Sequence, residues 1–161
     1  MPLNTLEYNA DRIAQIADQL FDLHNTQMSK PRTTNGVEGW SRKQILGHLI
    51  DSALINHQRI IESQLNNSII FTGYNHQQWV TLNHYQSTDW EELVTLWCAL
   101  NIQLCTMIEN IPQETLNKTH ADHSYQTTAY KPLKADQPST LNYLIQDYFA
   151  HLHHHLNQIT H

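Results

Sequence analysis

The stretch from Thr140 to Thr160 constrains the fold most strongly, because its apolar side chains recur with the period of an amphipathic helix. At about 100° per residue they form one stripe, made of Leu141, Leu144, Ile145, Tyr148, Leu152, Leu156 and Ile159. His151 and His155 are four residues apart, so they lie on one side of this helix, at the flank of the stripe. Burying two imidazoles without partners is costly, and a metal ion is one partner that could bind both.

Three earlier segments have the same period and predict three more helices, at residues 3–24, 41–65 and 89–110. With only 4 Gly and 5 Pro in 161 residues, a turn-rich all-β fold is disfavoured. Four amphipathic helices can bury their stripes only against one another, which predicts an all-α four-helix bundle forming a single domain over residues 1–161. The apolar positions of the three earlier helices are Leu6, Ile13, Ile16, Leu20, Leu23, Ile45, Leu49, Ile50, Ala53, Ile60, Ile61, Leu93, Leu96, Trp97, Leu100, Leu104 and Ile108.

Capping signals mark where three of these helices begin. Ser41 with Gln44 has the spacing of a capping box, and so does Thr88 with Glu91. The last helix is expected to begin after Thr140 or the serine before it.

The two earlier connections differ in character. Residues 25–39 are a polar connection punctuated by proline and glycine. Residues 66–87 have no sustained period and predict a loop with one turn of helix near residues 77–82. We expect Tyr74 and Trp79 to anchor this loop in the core.

A long connection, residues 113–139, precedes the last helix. Its β-branched and aromatic residues at positions 118–133 predict a short hairpin. A connection of this length in a small domain usually has a function or its own packing.

Charge and composition exclude several classes of partner. The net charge of −6 argues against nucleic acid and anionic membranes. No apolar run reaches the roughly 20 residues of a membrane span, and no signal-peptide pattern is present, so a cytoplasmic location is expected. Cys98 and Cys105 lie about 10 Å apart along the predicted third helix, too far for a disulfide, which agrees with a reducing compartment.

His48 is the candidate third ligand for a metal ion bound by His151 and His155, since it lies in the second turn of the predicted second helix. Three neutral imidazoles suit a divalent zinc, nickel, iron or copper ion. Three protein ligands leave an open position, which is the catalytic rather than the structural pattern. Asp51, three residues after His48, is a candidate hydrogen-bond acceptor for an imidazole or a group facing the pocket.

Spacing alone also allows an ordinary interpretation, because a chain with 12 histidines produces such pairs by chance. His154 lies about 60° around the helix from His151 and could replace it only with weaker geometry. His153 points away and is expected to face solvent. We expect surface positions for His57, His76, His84, His120, His123 and His161.

Two stretches resemble the DinB/YfiT-like superfamily. WSRKQILGHLIDSALINHQRI, from Trp40 to Ile60, is similar to the second helix of that family, where a Trp-Ser start leads to a His-Leu-x-Asp motif. TLNYLIQDYFAHLHHHLNQI is similar to its last helix, with a HxxHHLxQI pattern. Tyr74 and Trp79 fit a Tyr-x4-Trp-like loop. Each motif alone is weak, but their order and separation across nearly the whole chain are specific.

This resemblance implies a four-helix bundle with up-down-down-up topology, often a homodimer, and one divalent metal ion. The matching positions imply His48, His151 and His155 as ligands, with His154 beside them and Asp51 behind the first ligand. Characterised relatives include transferases of bacillithiol or mycothiol, a maleylpyruvate isomerase and metal-dependent hydrolases.

The expected function is therefore that of a metal-dependent thiol transferase or hydrolase acting on a small-molecule substrate. A zinc or nickel ion would activate a low-molecular-weight thiol or water. Asp51 would orient or deprotonate the nucleophile, and Tyr74 and Trp79 would line the pocket. Two alternatives remain: a stress-response bundle that binds metal or a small ligand without turnover, and a helical dimerisation protein whose histidines bond only water or backbone.

Overall fold

Four long helices build the structure, a computed structural model that describes residues 8–161. Numbered in chain order among all the helices, they are α1 (Ala10–Phe21), α3 (Arg42–Asn66), α5 (Trp90–Glu109) and α8 (Leu141–Thr160). Helix α3 packs against both α5 and α8, and α1 packs against α5. The predicted all-α four-helix bundle is confirmed. Two long connections, 67–89 and 110–140, separate the last three long helices, whereas simple up-down bundles use short loops.

Short elements fill the connections between the long helices. Four are helices and two are strands: α2 (Asn25–Met28), β1 (Pro31–Thr34), β2 (Val37–Ser41), α4 (His76–Leu82), α6 (Gln113–Asn117) and α7 (Tyr125–Thr128). A 3₁₀ turn at Tyr85–Ser87 precedes α5. The single helical turn predicted near residues 77–82 is thus confirmed as α4.

Residues 25–39 form the predicted polar connection between two long helices, but they contain α2 and most of an antiparallel hairpin of β1 and β2 that was not predicted. Asn35 and Gly36 turn the hairpin with φ angles of 51° and 77°. An Asn-Gly pair with positive φ at both residues is the strongest short signal for a two-residue hairpin turn. Polar composition hid this signal, since both strands are mostly exposed.

Local capping fixes the starts of α3 and α8 as predicted. The Ser41 hydroxyl accepts a hydrogen bond from the Gln44 N–H at 3.2 Å, and the Gln44 side chain accepts one from the Ser41 N–H at 2.9 Å. Thr140 caps α8 by accepting from the Tyr143 N–H at 3.1 Å. These bonds use donors that a helix start otherwise leaves unsatisfied.

Two predicted helix starts are corrected. The capping box of Thr88 with Glu91 does not form, because the Asp89 carboxylate accepts from the Glu91 N–H at 3.0 Å instead. Asp and Thr are both good N-caps, so adjacent candidates are hard to separate by sequence. Helix α1, predicted from residue 3, begins after Asn9, whose side chain accepts from the Arg12 N–H. The predicted core residue Leu6 lies outside the described residues.

The core lies between the long helices and contains most of the predicted apolar positions. Ile61 and Leu96 are exceptions, with 38% and 45% of their surfaces exposed. The predicted anchors Tyr74 and Trp79 are only half-buried. The side chains that anchor the 67–89 connection in the core are Ile69, Val80 and Tyr85.

The hairpin predicted at residues 118–133 is wrong, because this region holds α7 and only an isolated bridge between His120 and Ser139. Contacts with α8 determine its path: both carboxylate oxygens of Asp147 accept backbone N–H groups, from Tyr130 at 2.8 Å and Lys131 at 2.7 Å. Such partners are distant in sequence, so β propensity could not reveal them.

His123 is buried, not on the surface as predicted. Its Nε2 donates to the Gln137 carbonyl at 2.7 Å, and its Nδ1 accepts from the Tyr125 N–H at 3.0 Å. Both ring nitrogens are satisfied, so His123 holds the 110–140 connection together. No helix among residues 8–161 combines the length and the apolar character needed to cross a membrane.

Gly47 is predicted to be essential for packing the 3₁₀ turn against α3. A Cβ at Gly47 would lie 2.1 Å from Cδ2 of Tyr85, whose hydroxyl donates to buried Asp51 at 2.7 Å. Gly47→Ala should therefore lower the free energy of unfolding by about 3 kcal/mol, through overpacking and loss of this hydrogen bond. Urea denaturation measures the change.

Gly73→Ala is the matched control, because a Cβ there meets nothing within 4 Å. It should change the free energy of unfolding by less than about 0.5 kcal/mol. Equal effects of the two substitutions would show that the Tyr85 contact is not the reason for glycine at position 47.

Candidate metal centre

The packing of α3 against α8 brings three histidines together at one place in the bundle. His48, in the second turn of α3, is 2% exposed, while His151 and His155 are half-buried on successive turns of α8. One ring nitrogen from each lies within 4.8 Å of the other two. His48 precedes His151 and His155 by 103 and 107 positions in the sequence, and the fold brings the three side chains together, as predicted.

The donor set and its spacing fit a single transition-metal ion. The Nε2 atoms of His48 and His151 are 3.0 Å apart, and the ring centroids of the three residues are separated by 4.6–4.9 Å. Tetrahedral zinc sites with Zn–N distances of about 2.0–2.1 Å place ligand nitrogens roughly 3.3 Å apart. The separations among the three ring nitrogens, at most 4.8 Å, are in the range of such a site.

Burial keeps these imidazoles in the neutral form that metal binding needs. Burial lowers the pKa of His48 to about 3, and repulsion from His155 and His76 contributes. Burial likewise lowers the pKa of His151 to about 2, with neighbouring histidines adding to the effect. The pKa of His155 is also lowered by burial. At neutral pH all three rings therefore have a free lone pair.

A hydrogen-bond chain behind His155 fixes which of its nitrogens is free. His155 Nδ1 donates to Oε1 of Gln158 at 2.7 Å, which leaves its Nε2 lone pair for a ligand. Gln158 in turn donates from Nε2 to His154 Nε2 at 3.3 Å. His154 thus lies beside the cluster and orients Gln158. His153 is exposed, as predicted, with its Nδ1 3.0 Å from the Tyr8 hydroxyl.

Asp51 lies one turn of α3 beyond His48 but forms no hydrogen bond with the histidine cluster among residues 8–161. Its Oδ1 accepts from the Tyr85 hydroxyl at 2.7 Å and from the Asn83 amide at 3.0 Å. Burial raises the pKa of Asp51 to about 6 despite these bonds. Within residues 8–161, Asp51 Oδ2 and His48 Nδ1 are both buried without a partner.

His76, at the start of α4, is a neighbour of the cluster that the sequence prediction missed. Its ring centroid is 5.0 Å from that of His48 and 4.3 Å from that of Tyr74. Its exposure agrees with the predicted surface position, but its place beside the metal candidates depends on the path of the 67–89 connection. A lone loop histidine has no spacing pattern that could reveal this.

A small cavity of about 90 Å³ opens beside the cluster. Helices α3 and α8 and both long connections line it, with Arg59, Tyr74, His76, Tyr130, Asp147 and His151 among the lining residues. Because His151 is both a candidate ligand and a wall residue, a small molecule in the cavity would lie next to a bound ion. Trp79, predicted to line the pocket, contacts Tyr74 with ring centroids 5.0 Å apart and does not line this cavity.

The stability of metal-free protein should fall as pH decreases below 6.5. Between that pH and about 3, the unfolded chain binds protons on His48 and His151 that the folded chain does not. Each histidine contributes a slope of up to about 1.4 kcal/mol per pH unit. Between about pH 4 and 6, Asp51 offsets the contribution of one histidine, because its raised pKa makes the folded state bind a proton that the unfolded state does not. Urea denaturation at pH 7.5 and 5.0 measures the net loss.

The His48→Gln variant should reduce this pH dependence, because one of the two buried imidazoles is gone. His57→Gln removes another histidine of α3, outside the cluster, and should leave the dependence unchanged. An unfolding free energy that stays constant between the two pH values in the metal-free wild-type protein would contradict the prediction.

Comparison with known proteins shows the fold. No family model matches the sequence, and no curated protein matches it. The structure is similar to one described as "YfiT from Bacillus subtilis is a probable metal-dependent hydrolase with an unusual four-helix bundle topology". The TM-score is 0.73 at 19% identity, over 94% of this chain and 79% of that chain. At this identity the likeness shows the fold alone, and it agrees with the four-helix bundle that the sequence resemblance to the DinB/YfiT-like superfamily implied.

Proposed function

We propose that this protein is an enzyme that uses one divalent ion on His48, His151 and His155 to activate water or a low-molecular-weight thiol toward a small substrate. The observation that carries the proposal is the convergence of three neutral imidazoles at the edge of a cavity. A zinc or nickel ion suits three nitrogen donors.

Three protein ligands support a catalytic rather than a structural ion. Structural zinc sites are closed by four protein ligands, whereas catalytic ones keep a position open for water or substrate. Here the cavity lies at His151, so a small molecule in it would lie next to an ion held by the three histidines. When bound, the ion acts as a Lewis acid that lowers the pKa of water or a thiol.

His76 is the residue that we assign as the proton acceptor. It lines the cavity beside His151 and is not one of the three converging histidines. Burial and the charge of Arg59 lower its pKa, so it is a neutral base at pH 7. A positioned base of this kind contributes about 10²–10⁴-fold to a rate.

Asp51 is assigned a supporting role behind His48. Its Oδ1 holds the 3₁₀ turn through Tyr85. Within residues 8–161, its Oδ2 and the Nδ1 of His48, three residues earlier in α3, are both buried without a partner. A water bridging these two atoms would satisfy both and fix the orientation of the His48 ring. Tyr74 lines the substrate cavity, and Trp79 supports Tyr74 from behind.

We further propose that the protein forms a homodimer and is located in the cytoplasm. Leu54, Ile61 and Leu65 recur along one side of α3 and are 46%, 38% and 78% exposed, and Leu96 on α5 is 45% exposed. Large exposed apolar groups of this kind are typical of surfaces that pair. Cys98 and Cys105 are free thiols, which agrees with a reducing compartment.

Metal content tests the ligand assignment. After reconstitution with zinc or nickel, elemental analysis should find about one ion per wild-type chain. His48→Ala, His151→Ala and His155→Ala should each lower the affinity at least about a hundredfold, because each removes a ligand. His153→Ala is the control from the same helix, and its metal content should equal that of the wild-type protein. No bound ion in the wild-type protein would rule out the site.

Turnover tests the reaction class. We expect chelator-sensitive hydrolysis of an activated ester, or chelator-sensitive conjugation of an electrophile with glutathione or bacillithiol. His76→Ala should lower kcat about 10²–10⁴-fold with metal content unchanged, because it removes the base. His84→Ala, a change at another histidine of the same connection, should leave kcat unaffected.

The outcomes separate the alternatives. Turnover that survives complete metal removal would contradict the proposal. Stoichiometric metal binding with no turnover of water or thiol would favour a non-catalytic binding bundle instead.

A further inference from the structure

Arg59 lies in the wall of the cavity, and only 6% of its surface is exposed. It projects from α3, the helix that also presents His48. Burial lowers its pKa, yet an arginine keeps its charge at neutral pH. Arg59 lines the same cavity as His151, a candidate metal ligand, so the guanidinium and an ion held by the histidines would border one space.

The partners of Arg59 do not neutralise this charge. Within residues 8–161, its Nη2 donates to the Thr72 carbonyl at 2.8 Å, and its guanidinium carbon lies 5.7 Å from the centroid of the Phe71 ring. A guanidinium has five N–H donors, so most of them have no protein acceptor in this part of the chain. Burying a charge without a counter-charge is costly, and such residues are typical of binding sites.

The other charged residue in the cavity wall, Asp147, already has hydrogen-bond partners of its own. Both oxygens of Asp147 accept backbone N–H groups, from Tyr130 and Lys131. Burial raises the pKa of Asp147, while these two backbone hydrogen bonds and the charge of Lys131 act against that effect. Arg59 is thus left as a cation that an incoming ligand can pair with.

We propose that Arg59 binds the carboxylate of a small organic acid whose other end reaches the ion on the histidine cluster. This assignment of substrate class rests on the proposed function. A planar guanidinium matches the two oxygens of a carboxylate. Tyr74, Tyr130 and Tyr148 also line the cavity and would contact a short carbon chain bound in it.

A ligand titration of metal-free protein tests this pairing without any turnover. Propionate and its neutral isostere propionamide are titrated separately, and NMR shifts of the cavity residues give each Kd. Propionate should bind at least about tenfold more tightly, because only it forms charge-assisted hydrogen bonds with Arg59. Equal affinities in the wild-type protein would overturn the proposal, whatever the variants do.

Two arginines of α3 provide a matched pair of variants. Arg59→Gln should reduce the propionate affinity to that of propionamide. Arg42→Gln should leave both affinities unchanged, although Arg42 likewise donates to a carbonyl, that of Ile159, at 2.8 Å. A folded Arg59→Gln protein that keeps the preference would overturn the assignment. Arg59→Lys keeps the charge but loses the planar guanidinium that matches the two carboxylate oxygens, so its preference for propionate should be intermediate.

Two further titrations separate this inference from the metal proposal and from other anions. His155→Ala should keep the propionate preference even though it cannot hold the ion, and loss of the preference there would overturn the role of Arg59. Methylphosphonate should bind no more tightly than propionate, since tighter binding would overturn the carboxylate class. A chain that binds no metal but prefers propionate would refute only the metal centre.

Discussion

The packing of α3 against α8 is the contact on which the rest of the site depends. It buries His48 against His151 and His155, and the loss of water keeps all three imidazoles neutral. In an isolated helix each of these histidines would be solvated and would titrate near its ordinary pKa. Helix packing therefore determines both the proximity and the protonation state of the three imidazoles, and binding of a metal ion requires both.

The two long connections supply the rest of the cavity wall beside α3 and α8. The 67–89 connection places His76 beside the cluster and Tyr74 in the cavity wall, and the 110–140 connection adds Tyr130 to that wall. Buried side chains with bonded polar groups hold both segments in place: Tyr85 donates to Asp51, and Asp147 accepts two backbone N–H groups. Cavity shape is thus determined by chain segments that have no helical period.

Burial lowers the pKa of the histidines and of Arg59 alike, but with different consequences. The histidines become neutral at pH 7, whereas Arg59 stays charged because its intrinsic pKa is so high. The cavity wall therefore contains neutral imidazole together with a buried cation. An anionic molecule with a second donor group would complement these groups, in line with the proposed carboxylate ligand.

The sequence by itself determined the features that depend on neighbouring residues. The period of the apolar residues predicted the long helices. The caps at Ser41 and Thr140 could be predicted because each lies directly before its helix, and the four-residue spacing of His151 and His155 places both on one side of α8. Tertiary structure alone decided the rest. His76 came to lie beside the cluster through contacts with residues far away in the chain. His123 became buried within the 110–140 connection, whose path depends on contacts with α8 that no local pattern encodes. Even the Asn35-Gly36 hairpin, a local signal, was masked by polar composition. The sequence could not choose between Thr88 and Asp89 as the cap of α5, because Asp and Thr are both good N-caps.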